Sequence, residues 1–147
     1  MRNAMLRLPV LAAALWWGSL TTLGFMVVPL LFIHLPSPAI AGAMAAKLFS
    51  AQTWLSLGCG LVLLITVRLN QSQAGLKPEQ TALIVIAVTL LLAVLSEFAV
   101  APRIMARENL KLWHGVGTAL YGLQWLGSGV VLWTLARSVS LSNLPKH

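Results

Sequence analysis

Glu97 stands in Ser96-Glu97-Phe98, within an apolar run that ends at Pro102. A carboxylate there can hold a proton, bind a cation or pair with a basic neighbour. Ionisable groups inside membrane-length runs are costly, so each is a candidate site by default. Two histidines join it. His34 closes Phe32-Ile33-His34-Leu35, and His114 opens Leu112-Trp113-His114-Gly115. Two imidazoles and a carboxylate make a donor set for a transition metal. Two histidines at matched depth on facing helices can also ligate haem. Met26, Met44 and Met105 would extend a soft path for copper. No His-x-x-His spacing accompanies these residues. The alternative role is structural: a polar cluster of Glu97, Arg103, Arg107 and His114, with Gln52 nearby, in which the carboxylate is paired internally.

The elements that carry these residues follow from four apolar runs, Leu8–Ile33, Leu48–Val67, Ala82–Ala101 and Leu112–Ala136. A helix of about 20 residues crosses a hydrocarbon core of ~30 Å. Lipid offers no hydrogen bonds to the backbone, so runs of this length predict helices rather than strands. The expected fold is an all-α integral membrane protein, a four-helix transmembrane bundle. It forms one domain over residues 1–147, with spans at about 8–34, 46–68, 80–101 and 112–136. Arg2, Arg7 and the apolar residues after them resemble a secretory signal, but the run outlasts a signal core of roughly 7–15 residues, which favours an uncleaved first span.

Charge narrows the partners. Hydrophobic residues make up 59% of the chain and charged residues 9%, far below the ~25% of a soluble domain. Ten Lys/Arg face only Glu79, Glu97 and Glu108, for a net charge of +7. Most basic residues flank the runs, which points to the lipid bilayer and its anionic headgroups and away from nucleic acid. With four spans both termini share one side. Arg2, Arg7, Arg68, Lys77, Arg137 and Lys146 lie there, against Lys47, Arg103, Arg107 and Lys111 opposite. That bias places both termini in the cytoplasm of a bacterial inner membrane.

Local signals refine the helices. Pro9 sits in a first turn, where a missing N–H costs little. Pro29 is interior and should kink the first helix. Ser37 reads as an N-cap with Pro38 at the first helical position, so the second helix can begin near Pro38. Asn70–Gly75 is a polar connection, Lys77-Pro78-Glu79 opens the third helix, and Leu141–His147 is a polar tail. Gly115, Gly122 and Gly129 recur every seven residues with Ala119 on the same face, and Gly18 and Gly60 sit in similar rows. Such small-residue stripes predict close helix packing. Trp54 and Trp113 read as interfacial anchors. Cys59 is the only cysteine, a small packing residue between Gly58 and Gly60. No internal repeat is evident.

Several motifs are missing. The chain has no phosphate-binding glycine loop, zinc-type cysteine pair or nucleophile elbow. Without a nucleophile or paired acids, catalysis on a lipid or quinone has little to rest on, and no catalytic residue is assigned.

Trp17-Gly18, Gly24-Phe25-Met26-Val27-Val28-Pro29-Leu30-Leu31-Phe32, Leu35-Pro36, Ala41-Gly42 and Lys47-Leu48-Phe49 resemble the opening of the transmembrane protein 205-like family. Ala101-Pro102-Arg103-Ile104 and Trp113-His114-Gly115-Val116-Gly117 resemble its second half, with Trp113 and Gly117 where leucine and serine are usual. The resemblance implies a four-helix membrane domain of unestablished activity. A eukaryotic relative's association with platinum-drug resistance implies metal or toxicant handling. Among the matched positions Gly18, Pro29, Phe32, Gly42, Phe49, Pro102, His114 and Gly115, only His114 carries chemistry.

The leading expectation is a non-enzymatic membrane protein that binds or handles a small solute or metal, or supports a complex with a membrane-protein partner or a second copy. It needs no cofactor. The other is a redox protein holding haem or copper through His34 and His114. A further expectation is that Glu97 makes a hydrogen bond or ion pair with His114, Arg103 or Arg107, directly or through water, because the third and fourth helices are neighbours in sequence.

Overall fold

The computed structural model describes residues 2–71 and 78–142, with side chains over 8–69 and 80–138. Helix α1 runs Arg2–Thr22, passes through a π turn at Leu23–Val27 and resumes as Val28–His34. Helix α2 is Pro38–Gln71. Helix α3 runs Pro78–Leu95, passes through a second π turn at Ser96–Val100 and ends as Ala101–Met105. Helix α4 is Leu110–Ser142. The remainder of the connection expected over Asn70–Gly75, and most of the tail, lie outside the described residues.

All four helices are long and apolar enough to cross a membrane, and the chain is an all-α integral membrane protein. The helices alternate in direction, and each packs against two neighbours in the ring α1–α2–α3–α4–α1. Most large apolar side chains on the outer surface, such as Phe25, Ile33 and Leu61, are exposed, as lipid-facing residues must be. The end that carries the α1–α2 and α3–α4 turns is called distal below.

Caps fix the distal turns. The Ile40 N–H donates to Ser37 Oγ at 3.3 Å, and Pro38 opens α2. Before α4 the Leu112 N–H donates to Asn109 Oδ1 at 3.4 Å. Arg107 and Asn109 turn the chain with φ of 57° and 33°, a region that asparagine tolerates better than most residues.

The expectation of no internal repeat is corrected by the two π turns. Each ends two residues before a proline: Val27 before Pro29, and Val100 before Pro102. The local sequences are Phe25-Met26-Val27-Val28-Pro29 and Phe98-Ala99-Val100-Ala101-Pro102, 73 positions apart. In both, a backbone N–H bonds five residues back, Val28 to Leu23 and Ala101 to Ser96. Burial keeps the same step: Pro9, Ala13, Trp16 and Leu20 match Ala82, Ile86, Thr89 and Ala93, all buried. On α2 and α4, Phe49, Gln52 and Ser56 match Tyr121, Gln124 and Ser128 at a step of 72. The rings of Phe49 and Tyr121 meet across the bundle, 5.2 Å between centroids. Equivalent residues touch each other where a two-fold axis passes between them. The chain is thus two helical hairpins, α1–α2 and α3–α4, related by a pseudo-two-fold axis along the bundle, as in parallel-repeat membrane folds.

The repeat was hard to see because the lipid-facing positions between its key residues are interchangeable apolar side chains. The pattern is kept by the interior residues, which fit one another, and by the Phe-x-Val-x-Pro motif at the π turns.

Candidate functional site

Polar side chains gather in the distal half of the interior. Ser96 and Glu97 open the α3 π turn and point to different neighbours. Successive helical residues are separated by about 100°, and α3 lies between α2 and α4. Ser96 therefore faces α4, where Gln124 Nε2 donates to its Oγ at 3.1 Å. Glu97 faces α2, where Ser50 Oγ donates to its Oε1 at 2.6 Å. That length is in the range of a charge-assisted O–H to carboxylate bond. Glu97 is half-buried, as is Ser50.

The first hairpin carries a similar glutamine–serine link one turn deeper, because the position equivalent to Ser96 is Leu23. Gln52 Nε2 donates to Ser19 Oγ at 2.9 Å and, more weakly, to Ser56 Oγ at 3.4 Å. Ser19 Oγ in turn donates to the carbonyl of Trp16 at 2.8 Å. Between hairpins, Trp125 Nε1 donates to Thr21 Oγ1 at 2.9 Å, and the Tyr121 hydroxyl donates to the Leu20 carbonyl at 2.7 Å. The same ring packs against Gly24, where a Cβ would lie 2.6 Å from Tyr121 Cε1. One turn deeper, Trp16, Ser56, Thr89 and Ser128 are fully enclosed, one from each helix. The Trp16 indole N–H has no partner.

The residues expected to form the site are distributed differently. Glu97 bonds to none of His114, Arg103 or Arg107. The expectation placed it against α4, but the neighbour one residue earlier, Ser96, takes that direction. Arg103 donates to the Ala99 carbonyl at 2.7 Å and lies 4.5 Å over the Trp113 ring. His114 donates from Nδ1 to the Leu110 carbonyl at 2.9 Å, and His34 does the same to Leu30 at 3.0 Å. Both histidines are exposed, as are Arg107 and Glu108. The cluster of Glu97, Arg103, Arg107 and His114 is therefore not joined by side-chain hydrogen bonds. Among the described residues no three His, Cys, Asp or Glu gather in a way that could hold a metal ion, so His34, His114 and Glu97 are not brought together as a ligand set.

The glycines divide as well. A Cβ at Gly60 would collide with the Leu90 side chain, and one at Gly129 would lie 2.9 Å from Trp17 Nε1. Those two serve close packing. Gly18, Gly115 and Gly122 meet open space, so the expected α4 stripe does not pack inside this chain along its whole length. Tight positions that the stripe missed are Gly127, against Thr89, and Gly24, where a Cβ would lie 2.6 Å from Tyr121 Cε1.

Ser50, Gln124 and Tyr121 were not singled out from the sequence. The available signal was Phe-x-x-Gln-x-x-x-Ser on α2 against Tyr-x-x-Gln-x-x-x-Ser on α4. A repeated glutamine within two apolar spans marks an interior face.

Comparison with known families gives one match. The family profile described as "Domain of unknown function (DUF4149)" matches residues 11–111, which include Glu97 and Ser50. No curated protein and no solved structure matches the chain.

Proposed function

We propose that this chain, which belongs to the DUF4149 family, is a non-enzymatic membrane protein of the transmembrane protein 205-like type that handles a small cationic solute, the proton included, at Glu97. The observation that carries this reading is the Glu97 carboxylate in a candidate membrane span, with the Ser50 hydroxyl as its partner and no ion pair to Arg103 or His114. A carboxylate removed from water costs several kcal/mol unless its charge is compensated. A hydroxyl offers a hydrogen bond but no charge, so a bound cation completes the site. The basic residues Lys47, Arg103, Arg107 and Lys111 at this end are exposed, where anionic headgroups screen them. The same residues, weighed against those at the other end, support an orientation with both termini cytoplasmic. Reporter fusions at either terminus and in the 72–77 connection would then all read cytoplasm.

The test compares the purified protein with its Glu97→Gln variant in lipid nanodiscs. Melting temperature is followed in sodium, potassium, magnesium and methylammonium chlorides, each against choline chloride, and across pH. Ligand at about 100 times its Kd adds roughly 2.7 kcal/mol. The expected result is a rise with one of these cations, or a pH-dependent melting curve, that Glu97→Gln abolishes. Identical responses of the two proteins would rule this reading out and leave a complex-supporting role.

The haem or copper reading keeps one supporting feature. In both histidines Nδ1 is engaged with a carbonyl, which presents Nε2, the arrangement found in metal-bound imidazoles. A Soret band or bound copper lost on His114→Ala would establish it.

A further inference from the structure

The two π turns occupy equivalent places in the repeated hairpins but are held in different ways. In α1 the Tyr121 phenol sits at the turn: its hydroxyl donates to the Leu20 carbonyl, and its ring packs against Gly24. The ring leaves no room for a Cβ on Gly24. A side chain bonded to a helical carbonyl and packed against the turn in this way holds the bend in place.

In α3 the equivalent of Gly24 is Glu97, and the equivalent of Tyr121 is Phe49. Phe49 has no hydroxyl to offer. The neighbouring Ser50 supplies one instead, and it reaches the carboxylate and not the backbone. The α3 turn is therefore tied to α2 by a side-chain bond, beside the Gln124–Ser96 bond to α4. Beyond each turn a proline withholds an N–H from the helical ladder, Pro29 in α1 and Pro102 in α3. Each distal segment, Val28–His34 and Ala101–Met105, thus follows a weakened stretch of helix.

Building on the assignment of Glu97 as the solute site, we propose that the π turns are a pair of hinges. The first is locked by Tyr121. The second is latched by the Ser50–Glu97 bond, and loss of that bond frees Ala101–Met105. Occupation of the carboxylate and movement of this segment are then one event. The segment carries Arg103 and leads directly into the α3–α4 turn. A change at Glu97 is consequently displayed at the distal membrane surface, while the distal part of α1 stays fixed. The repeat supplies the reference: the same motif, with a lock in place of a latch.

Hydrogen–deuterium exchange of the full chain in nanodiscs tests this with two mild variants. Ser50→Ala should raise exchange over residues 96–105 about tenfold, the loss of one side-chain bond, and leave 23–34 unchanged. Tyr121→Phe should do the reverse. A Ser50→Ala variant that leaves 96–105 protected, or that loosens both segments equally, overturns the proposal. So does a Tyr121→Phe variant that leaves 23–34 protected. The outcome is separable from that of the solute reading. Selective loosening with no cation-dependent melting would keep the hinges and remove the solute. Cation-dependent melting lost in Glu97→Gln, without selective loosening, would do the opposite.

Discussion

In the first hairpin the α1 π turn holds Gly24, and the Tyr121 ring fills the space that a side chain would take. In the second hairpin the matching turn holds Glu97, opposite Phe49 and Ser50. The frame is shared down to the Phe-x-Val-x-Pro motif and the buried positions below it. The fillings are complementary: a phenol with a glycine on one side, a phenyl and a serine with a carboxylate on the other. One place is closed by protein atoms, and the other keeps an ionisable group. A structural requirement alone would be met by the closed version twice. The retention of a carboxylate on one side, at the cost of burying a charge, is what singles out Glu97.

The largest way to break this comparison is Gly24→Ala. Its Cβ would meet a ring held by the Leu20 carbonyl and packed against Phe49, and overpacking of this kind costs about 1–3 kcal/mol. A clear fall in melting temperature is expected, and the same substitution should cost much less in a Tyr121→Ala background, where the clash is gone. An unchanged melting temperature would show that Tyr121 does not occupy the turn. Next comes Glu97→Ala, which leaves Ser50 without its acceptor and should cost about 2 kcal/mol. Glu108→Ala, at an exposed turn position, should stay within about 0.5 kcal/mol.

A sharper probe uses the equivalent glutamines. Gln52 and Gln124 each bond to a serine of the partner helix within their own hairpin. Interhelical bonds of this type in membranes average ~0.6 kcal/mol. Gln52→Leu and Gln124→Leu should lower stability by similar small amounts in chemical unfolding, and a large difference between them would weaken the repeat. The smallest effects belong to Gly115→Ala and Gly122→Ala. Both face open space within the chain, so changes within about 0.5 kcal/mol are expected in the isolated protein. A substantial loss at either would show that a second copy or a partner packs there.

Much of the fold was legible in the sequence. Four long apolar runs in a nearly acid-free chain leave few architectures open, and the Ser37-Pro38 start of α2 followed from capping chemistry alone. The importance of Glu97 was also readable, since a lone acid in an apolar run has few inert explanations. Its partner was not. Direction around a helix depends on phase, and a π turn alters the phase; Pro29 and Pro102 mark a disturbed helix but do not say by how much it is rotated. His34 and His114 drew attention through their chemical type, yet each is set on its own helix one turn back. Ser50 was passed over because serine is common in membrane helices. Its role depends on a helix 47 positions away in sequence.

The most direct test of the central claim, that Ser50 and Glu97 act as a pair across α2 and α3, is a double-mutant cycle. Ser50→Ala, Glu97→Ala and the double variant would be unfolded beside the parent protein under one set of lipid conditions. The account predicts that the two losses are not additive, with a coupling of about 1 kcal/mol. Strict additivity, with each substitution acting as if the other residue were absent, would contradict it.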